Sequence, residues 1–217
     1  MAKFNQGILG GFNGKVGTVI GYSRYGKNIM RAIANHVSDR KSEAQISTRM
    51  RFKTLVGISA AFQEAVGVGL EKTARGLQRT TGNDFFSRNW EHVRLTDDGV
   101  VEVDFSKLTL SDGKLAAPSF QTPTYADDLT VTVAYSNASD VPGTSDSDEV
   151  YVFVYQPDMN MGVLSAAGLR KSGTLSVKVP AVWSGTEVHV YGFAVGTAHK
   201  NWGWRSDTAY LGKGTVE

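Results

Sequence analysis

The sequence predicts an α+β protein in which a glycine-rich β-hairpin and helices precede an antiparallel β-sandwich. Three observations carry that prediction. Glycines crowd the front, with Gly7, Gly10, Gly11, Gly14, Gly17, Gly21 and Gly26 inside the first 26 residues. Apolar residues then recur at helical spacing over about residues 42–92. From about residue 93 onward, short β-branched and aromatic runs alternate with turn clusters. The chain therefore divides into a basic glycine-rich arm and hairpin (1–40), a helical segment (41–92) and a β-sandwich domain (93–217).

In the arm, glycine at this density implies positive φ or close backbone approach. Its entropic cost implies that the first twenty residues order against a partner. Val16, Thr18, Ile20 and Tyr22 alternate with Gly17, Val19 and Gly21, and after the turn "SRYGK" Ile29, Arg31 and Ile33 alternate with Met30 and Ala32. Two period-2 runs joined at Gly26 read as a hairpin.

The helical segment opens at Ser42, which has Gln45 three residues on, a capping-box pattern. Ile46, Met50, Leu55, Ile58, Phe62 and Ala65 then form the expected buried stripe. Gly67 and Gly69 are expected to break this helix. A second helix covers "NDFFSRNWEHV", with Asn83 as its N-cap and Phe86 and Trp90 on one face.

The strand segments are "VVEVDF", "LTVTVAY", "EVYVFVYQ", "GTLSVKVP", "TEVHVYGFAV" and "TAYLGKGTV", separated by clusters such as "LSDG" and "NASDVPGTSDSD". The passage "LSVKVPAVWSGTEVHVYGFAV" resembles the strand E to strand F region of fibronectin type III domains. That resemblance implies a fibronectin- or immunoglobulin-like sandwich.

Composition narrows the function. No apolar run approaches the roughly 20 residues of a spanning helix, and the N-terminus lacks the apolar core and cleavage site of a signal peptide. A cytoplasmic or virion-type, assembly-associated location is expected. With no cysteine, disulfides and thiolate chemistry are excluded. Residues 1–55 carry ten Lys/Arg against Asp39 and Glu43, while the rest carries 13 basic and 19 acidic residues, so +8 and −6 lie beneath the net charge of +2. Such polarity suits nucleic acid, or docking of one molecule's front on another's back.

The segment "GYSRYGKN" comes one residue short of a phosphate-binding loop, since Gly21, Gly26 and Lys27 fit but Asn28 replaces the hydroxyl residue. No strand ending in a metal-binding aspartate follows, and the chain lacks βαβ alternation, so the hairpin explains these glycines better. The four histidines are too scattered for a metal motif. Asp146, Asp148 and Glu149 read as a solvated loop tip in preference to a calcium site. No catalytic set, cofactor or metal site is read, and the protein is not expected to be an enzyme.

Two surfaces remain. Tyr22, Arg24, Tyr25, Lys27 and Arg31 in the hairpin, with Arg49 and Lys53 four apart on the helix, combine cations and aromatic rings suited to subunit assembly or nucleic-acid contact. In "NWGWRSD", Trp202 and Trp204 are read on one side of an extended segment beside Arg205, a candidate partner or carbohydrate surface.

The opening "GILGGFNGKVGTVIGYSRYGKNIMR" with "SEAQISTRMRFK", "VEVDFSKLTLSDGKL" and "SDTAYLGKGTV" resembles an uncharacterised bacterial domain-of-unknown-function family of Bacteroidota type. The turn departs from that family's tryptophan-lysine-glycine pattern, reading Ser23-Arg24-Tyr25-Gly26-Lys27. The resemblance implies a shared architecture and brings no activity with it. The function expected is that of a non-enzymatic structural or interaction protein, forming homo-oligomers or binding a protein partner through its arm. Nucleic-acid binding by the basic region is the second reading, and carbohydrate binding by the tryptophans the third.

Overall fold

The computed structural model describes residues 2–4, 12–34, 38–126, 128–137 and 141–216. The chain forms two compact units, Met1–Glu43 and Ala44–Glu217.

The first unit is an antiparallel sheet of β1 (Ala2–Phe4), β2 (Gly14–Val16), β3 (Val19–Arg24) and β4 (Lys27–Ala32), in the order β1-β4-β3-β2. Tyr25 (φ 50°) and Gly26 (φ 71°) join β3 to β4. Two consecutive left-handed residues are what a type I′ hairpin turn requires. The run from Val16 to Tyr22 is not one strand. It reverses at Gly17-Thr18, where Gly17 has φ 58°, so that Val16 pairs with Val19. Period 2 cannot reveal this reversal, because a two-residue turn preserves the apolar alternation. The front strand pairs within the chain (Ala2 with Met30, Phe4 with Asn28), where a partner was expected to order it. Gly7, Gly10 and Gly11 lie outside the described residues. At Gly21 a Cβ would sit 2.5 Å from the Phe12 ring and 2.7 Å from its carbonyl oxygen, so only glycine admits Phe12 there.

The second unit holds the helices α1 (Glu43–Ala61, starting at the unit boundary), α2 (Gln63–Gly69), α3 (Glu71–Gly76) and α4 (Thr81–Asn89). The first begins directly after Ser42, as the capping-box pattern predicts. Backbone bonds continue through Phe62, whose N–H donates to Ile58 (3.2 Å) and whose carbonyl accepts from Val66 (2.9 Å). Gly67 and Gly69 therefore lie inside α2. Gly69 is needed for packing, since a Cβ there would meet the Leu110 carbonyl oxygen and lie 2.8 Å from the Ser111 Cβ. Thr80, not Asn83, caps α4: the Asn83 N–H donates to its side-chain oxygen at 3.2 Å. Of the predicted stripe, Leu55, Ile58, Phe62 and Ala65 are buried, whereas Ile46 and Met50 are exposed because the core covers only the later turns of α1.

The strands are β5 (Val93–Leu95), β6 (Val101–Val103), β7 (Ser119–Phe120), β8 (Thr124–Ala126), β9 (Thr130–Ser136), β10 (Glu149–Gln156), β11 (Met161–Leu164), β12 (Gly168–Leu169), β13 (Thr174–Lys178), β14 (Glu187–Val195) and β15 (Ala209–Thr215). One antiparallel sheet runs β11-β10-β14-β15 with β12 also on β10; another runs β13-β9-β7 with β8 also on β9; β5 and β6 pair alone. The two faces of the larger sheet bury different residues. Phe153, Tyr155, Tyr191 and Phe193 pack with Leu55, Phe62, Leu70 and Phe85 of the helices. Val152, Val154, Val188 and Val190 pack with Val131, Val133 and Val177 of the other sheet and with Trp183. Burial on both sides explains why β10 and β14 are apolar almost continuously. The architecture is α+β with antiparallel sheets.

Candidate functional site

The sheet register of the first unit assembles one face of its surface. Directly opposed residues in an antiparallel pair share a face. Lys15 lies opposite Ile20, Ile20 opposite Arg31, Tyr22 opposite Ile29, and Arg24 opposite Lys27. Four exposed cations (Lys15, Arg24, Lys27 and Arg31) thus flank half-buried Ile20, Tyr22 and Ile29. At the tip the Arg24 guanidinium lies 5.5 Å from the centre of the Tyr25 ring, a cation–π contact. Five predicted residues meet here, and Lys15 joins them. Cross-strand register was the missing signal, because Lys15 belongs to the strand hidden by the Gly17-Thr18 reversal.

Across β2, β3 and β4 only Gly21 is buried, and Val16 is 62% exposed. The strand–turn–strand course of residues 19–32 places Lys27 at a strand start, with no helix terminus behind it to hold phosphate.

Arg49 and Lys53 belong to the second unit, on the exposed surface of α1. Their neighbour Arg51 has a structural task. Its guanidinium stacks 4.2 Å from the Trp90 ring centre and donates to the carbonyls of Val93 and Trp90, each at 2.7 Å.

Trp202 and Trp204 do not form a paired platform on an extended segment. Residues 201–203 make a turn, which leaves Trp202 73% exposed and sends Trp204 inward against Gly143 and the cluster of Leu115, Tyr135, Val150 and Ala194. Arg205 is half-buried; it donates to the Val68 carbonyl (3.0 Å) and pairs with Glu71 (3.3 Å). Burial lowers its pKa, partly opposed by Glu71.

Asp148 is buried and serves as a structural hub in the loop before β10. It accepts from the Ser145 N–H and the Asn201 amide at 2.8 Å each and lies 3.6 Å from Arg170, with both ionic side chains fully buried. Glu149 accepts from Tyr151 at 2.7 Å, and burial with this bond pushes the Tyr151 pKa up to about 12. His189 is buried on β14, shares a hydrogen bond with Tyr210 (2.9 Å) and packs on Phe105 at 4.7 Å. Burial lowers its pKa. Among the described residues no group of three His, Asp or Glu converges as a metal site, and no helix is long and apolar enough to cross a membrane.

A family of unknown function (DUF6266) matches residues 11–212, and the chain belongs to that family. No curated protein and no solved structure matches it.

Proposed function

We propose that this family member is a non-enzymatic interaction protein whose N-terminal sheet docks onto an acidic protein surface, first of all the second unit of another copy. The carrying observation is a four-stranded sheet with an apolar centre, four peripheral cations and, across β2, β3 and β4, one buried residue, Gly21. A small sheet needs a covered face for stability, and docking supplies the cover. Charge supports the choice of partner. The first unit carries seven Lys/Arg against two acids, and the second sixteen against nineteen, giving +5 and −3. Open-ended docking of this kind builds larger particles or surface structures. We read the two larger sheets as the layers of a fibronectin-like sandwich that presents its loops outward, and the chain as bacterial.

Analytical ultracentrifugation of the full chain over a wide concentration range tests this reading. Association should grow with concentration and weaken in Arg24→Glu/Lys27→Glu/Arg31→Glu. A wild-type chain that stays monomeric throughout would rule against it.

A second reading rests on the same face, because cations spaced around Tyr22 also suit a single-stranded nucleic acid, with phosphates on the cations and a base on the ring. If the four cations each meet a phosphate, log affinity falls with log salt at a slope of about −3. A mobility-shift titration against a single-stranded oligonucleotide checks that slope, and Arg49→Glu/Lys53→Glu tests the helix pair separately.

A further inference from the structure

Trp202 has the highest exposure of any large apolar side chain among the described residues. The turn that carries it is firmly pinned. Asn201, 1% exposed, donates to the Gly143 carbonyl and the Asp148 carboxylate, each at 2.8 Å. The Gly203 N–H donates to the Gly196 carbonyl (2.9 Å), and the Gly196 N–H donates to the Trp204 carbonyl (2.7 Å). Gly203 (φ 71°) takes a left-handed conformation that favours glycine. From the α3 side, the Lys72 ammonium donates to the Trp202 carbonyl at 3.2 Å. An indole held in water on so constrained a backbone is preorganised for a ligand.

Beside it opens a groove of about 510 Å³, lined among others by Glu71, Lys72, Arg75, Thr197 and Arg205. That volume lies in the range of small-molecule sites. Glu71 bridges Arg75 (3.0 Å) and Arg205 (3.3 Å), so carboxylate and guanidinium groups alternate along the wall. The partly exposed Glu71 and the well exposed Arg75 keep acceptor and donor capacity toward the groove.

We infer that this groove is a carbohydrate-binding site, with Trp202 as the stacking platform and Glu71 and Arg75 as hydroxyl partners. A pyranose has the matching chemistry. Its C–H face covers an aromatic ring, and its hydroxyls both donate and accept along a wall of mixed sign. The wall sets Glu71 and Glu149 among Lys72, Arg75 and Arg205, a mixture of signs that suits neutral hydroxyls. Trp204, buried in part against Gly143, takes no part in the stacking.

The test is saturation-transfer-difference NMR and calorimetry of the full chain with cellobiose, maltose, lactose and N,N′-diacetylchitobiose at millimolar concentration. At least one disaccharide should bind. Trp202→Ala should weaken that binding about tenfold or more, Trp202→Phe by less, and Arg75→Met measurably, with unchanged melting curves. The charge-reversed N-terminal variant should bind sugar as the wild type does, which separates this site from the docking reading. Absence of binding by every disaccharide, or equal binding by Trp202→Ala, would overturn the inference. Capture of a single-stranded oligonucleotide at Trp202 in place of sugar would do the same.

Discussion

Arg24 and Arg170 are the same side chain in opposite circumstances, and the two units differ as they do. Arg24 stands exposed at a hairpin tip, over a tyrosine ring. Arg170 is wholly buried, donating to the Asn137 side chain and the Ala116 carbonyl at 2.9 Å each and facing Asp148. In the second unit, the core is organised as three apolar clusters and a buried polar hub. In the first, β2, β3 and β4 leave most of their side chains at the surface. Substitutions in the two regions should accordingly move different measurements.

The largest effect separates the two arginines directly. Arg170→Met leaves Asp148 buried without its cation and should cost about 3–5 kcal/mol in urea denaturation. Arg24→Met should stay within about 0.5 kcal/mol. Comparable losses at the two positions would erase the distinction between the regions.

A second test lies inside one helix of the second unit. Gly69→Ala drives a Cβ into the Leu110 carbonyl oxygen and should destabilise by about 1–3 kcal/mol. Gly67, two residues earlier, has open space around it, so Gly67→Ala should stabilise by up to about 1 kcal/mol through helix propensity. Thermal melts of the two variants should move in opposite directions. Shifts of the same sign would mean that Gly69 is not the close-packing point.

The contrast between these glycines also shows what was legible in the sequence. Spacing located α1, α4 and the long strands: "EVYVFVYQ" is β10 residue for residue. It did not find α3, nor β1, β5, β7, β8, β11 or β12, which have only two to four residues and take their pairing from neighbouring strands. Nor could it tell a helix-breaking glycine from one dismissed of its side chain by a neighbouring carbonyl, because that neighbour lies some forty positions on, at Leu110. For the candidate surfaces the residue types were readable and their grouping was not. Register brought Lys15 onto the face that carries Arg31, with Ile20 between them, and one turn at residues 201–203 parted two tryptophans that lie two positions apart in the sequence.

In the first unit, at a dilution where the wild type is monomeric, charge reversal at Arg24, Lys27 and Arg31 should leave the unfolding free energy within about 0.5 kcal/mol of wild type, while weakening association at higher concentration. A large loss of stability in that variant would show that the face serves its own unit's fold, and would place both units in one class.

The smallest effect sharpens the comparison from the interior side. Burial holds the His189 pKa below its ordinary 6.5, an effect reinforced by Lys213 and opposed by Glu187. Well above pH 6.5 the imidazole is neutral in both the folded and unfolded chain and contributes no pH dependence. As pH falls below that value the unfolded chain takes up the proton first, so stability present at neutral pH is lost as pH drops toward the folded-state pKa. The loss is bounded by about 1.4 kcal/mol per pH unit for a single group. His189→Phe keeps a ring against Phe105 and removes the titration, so its stability should fall less between about pH 7 and about pH 5 than that of the wild type. Equal slopes for the two chains would mean that the His189 imidazole meets water in the folded state, and that the helix-facing side of β14 is less closed than its aromatic packing indicates.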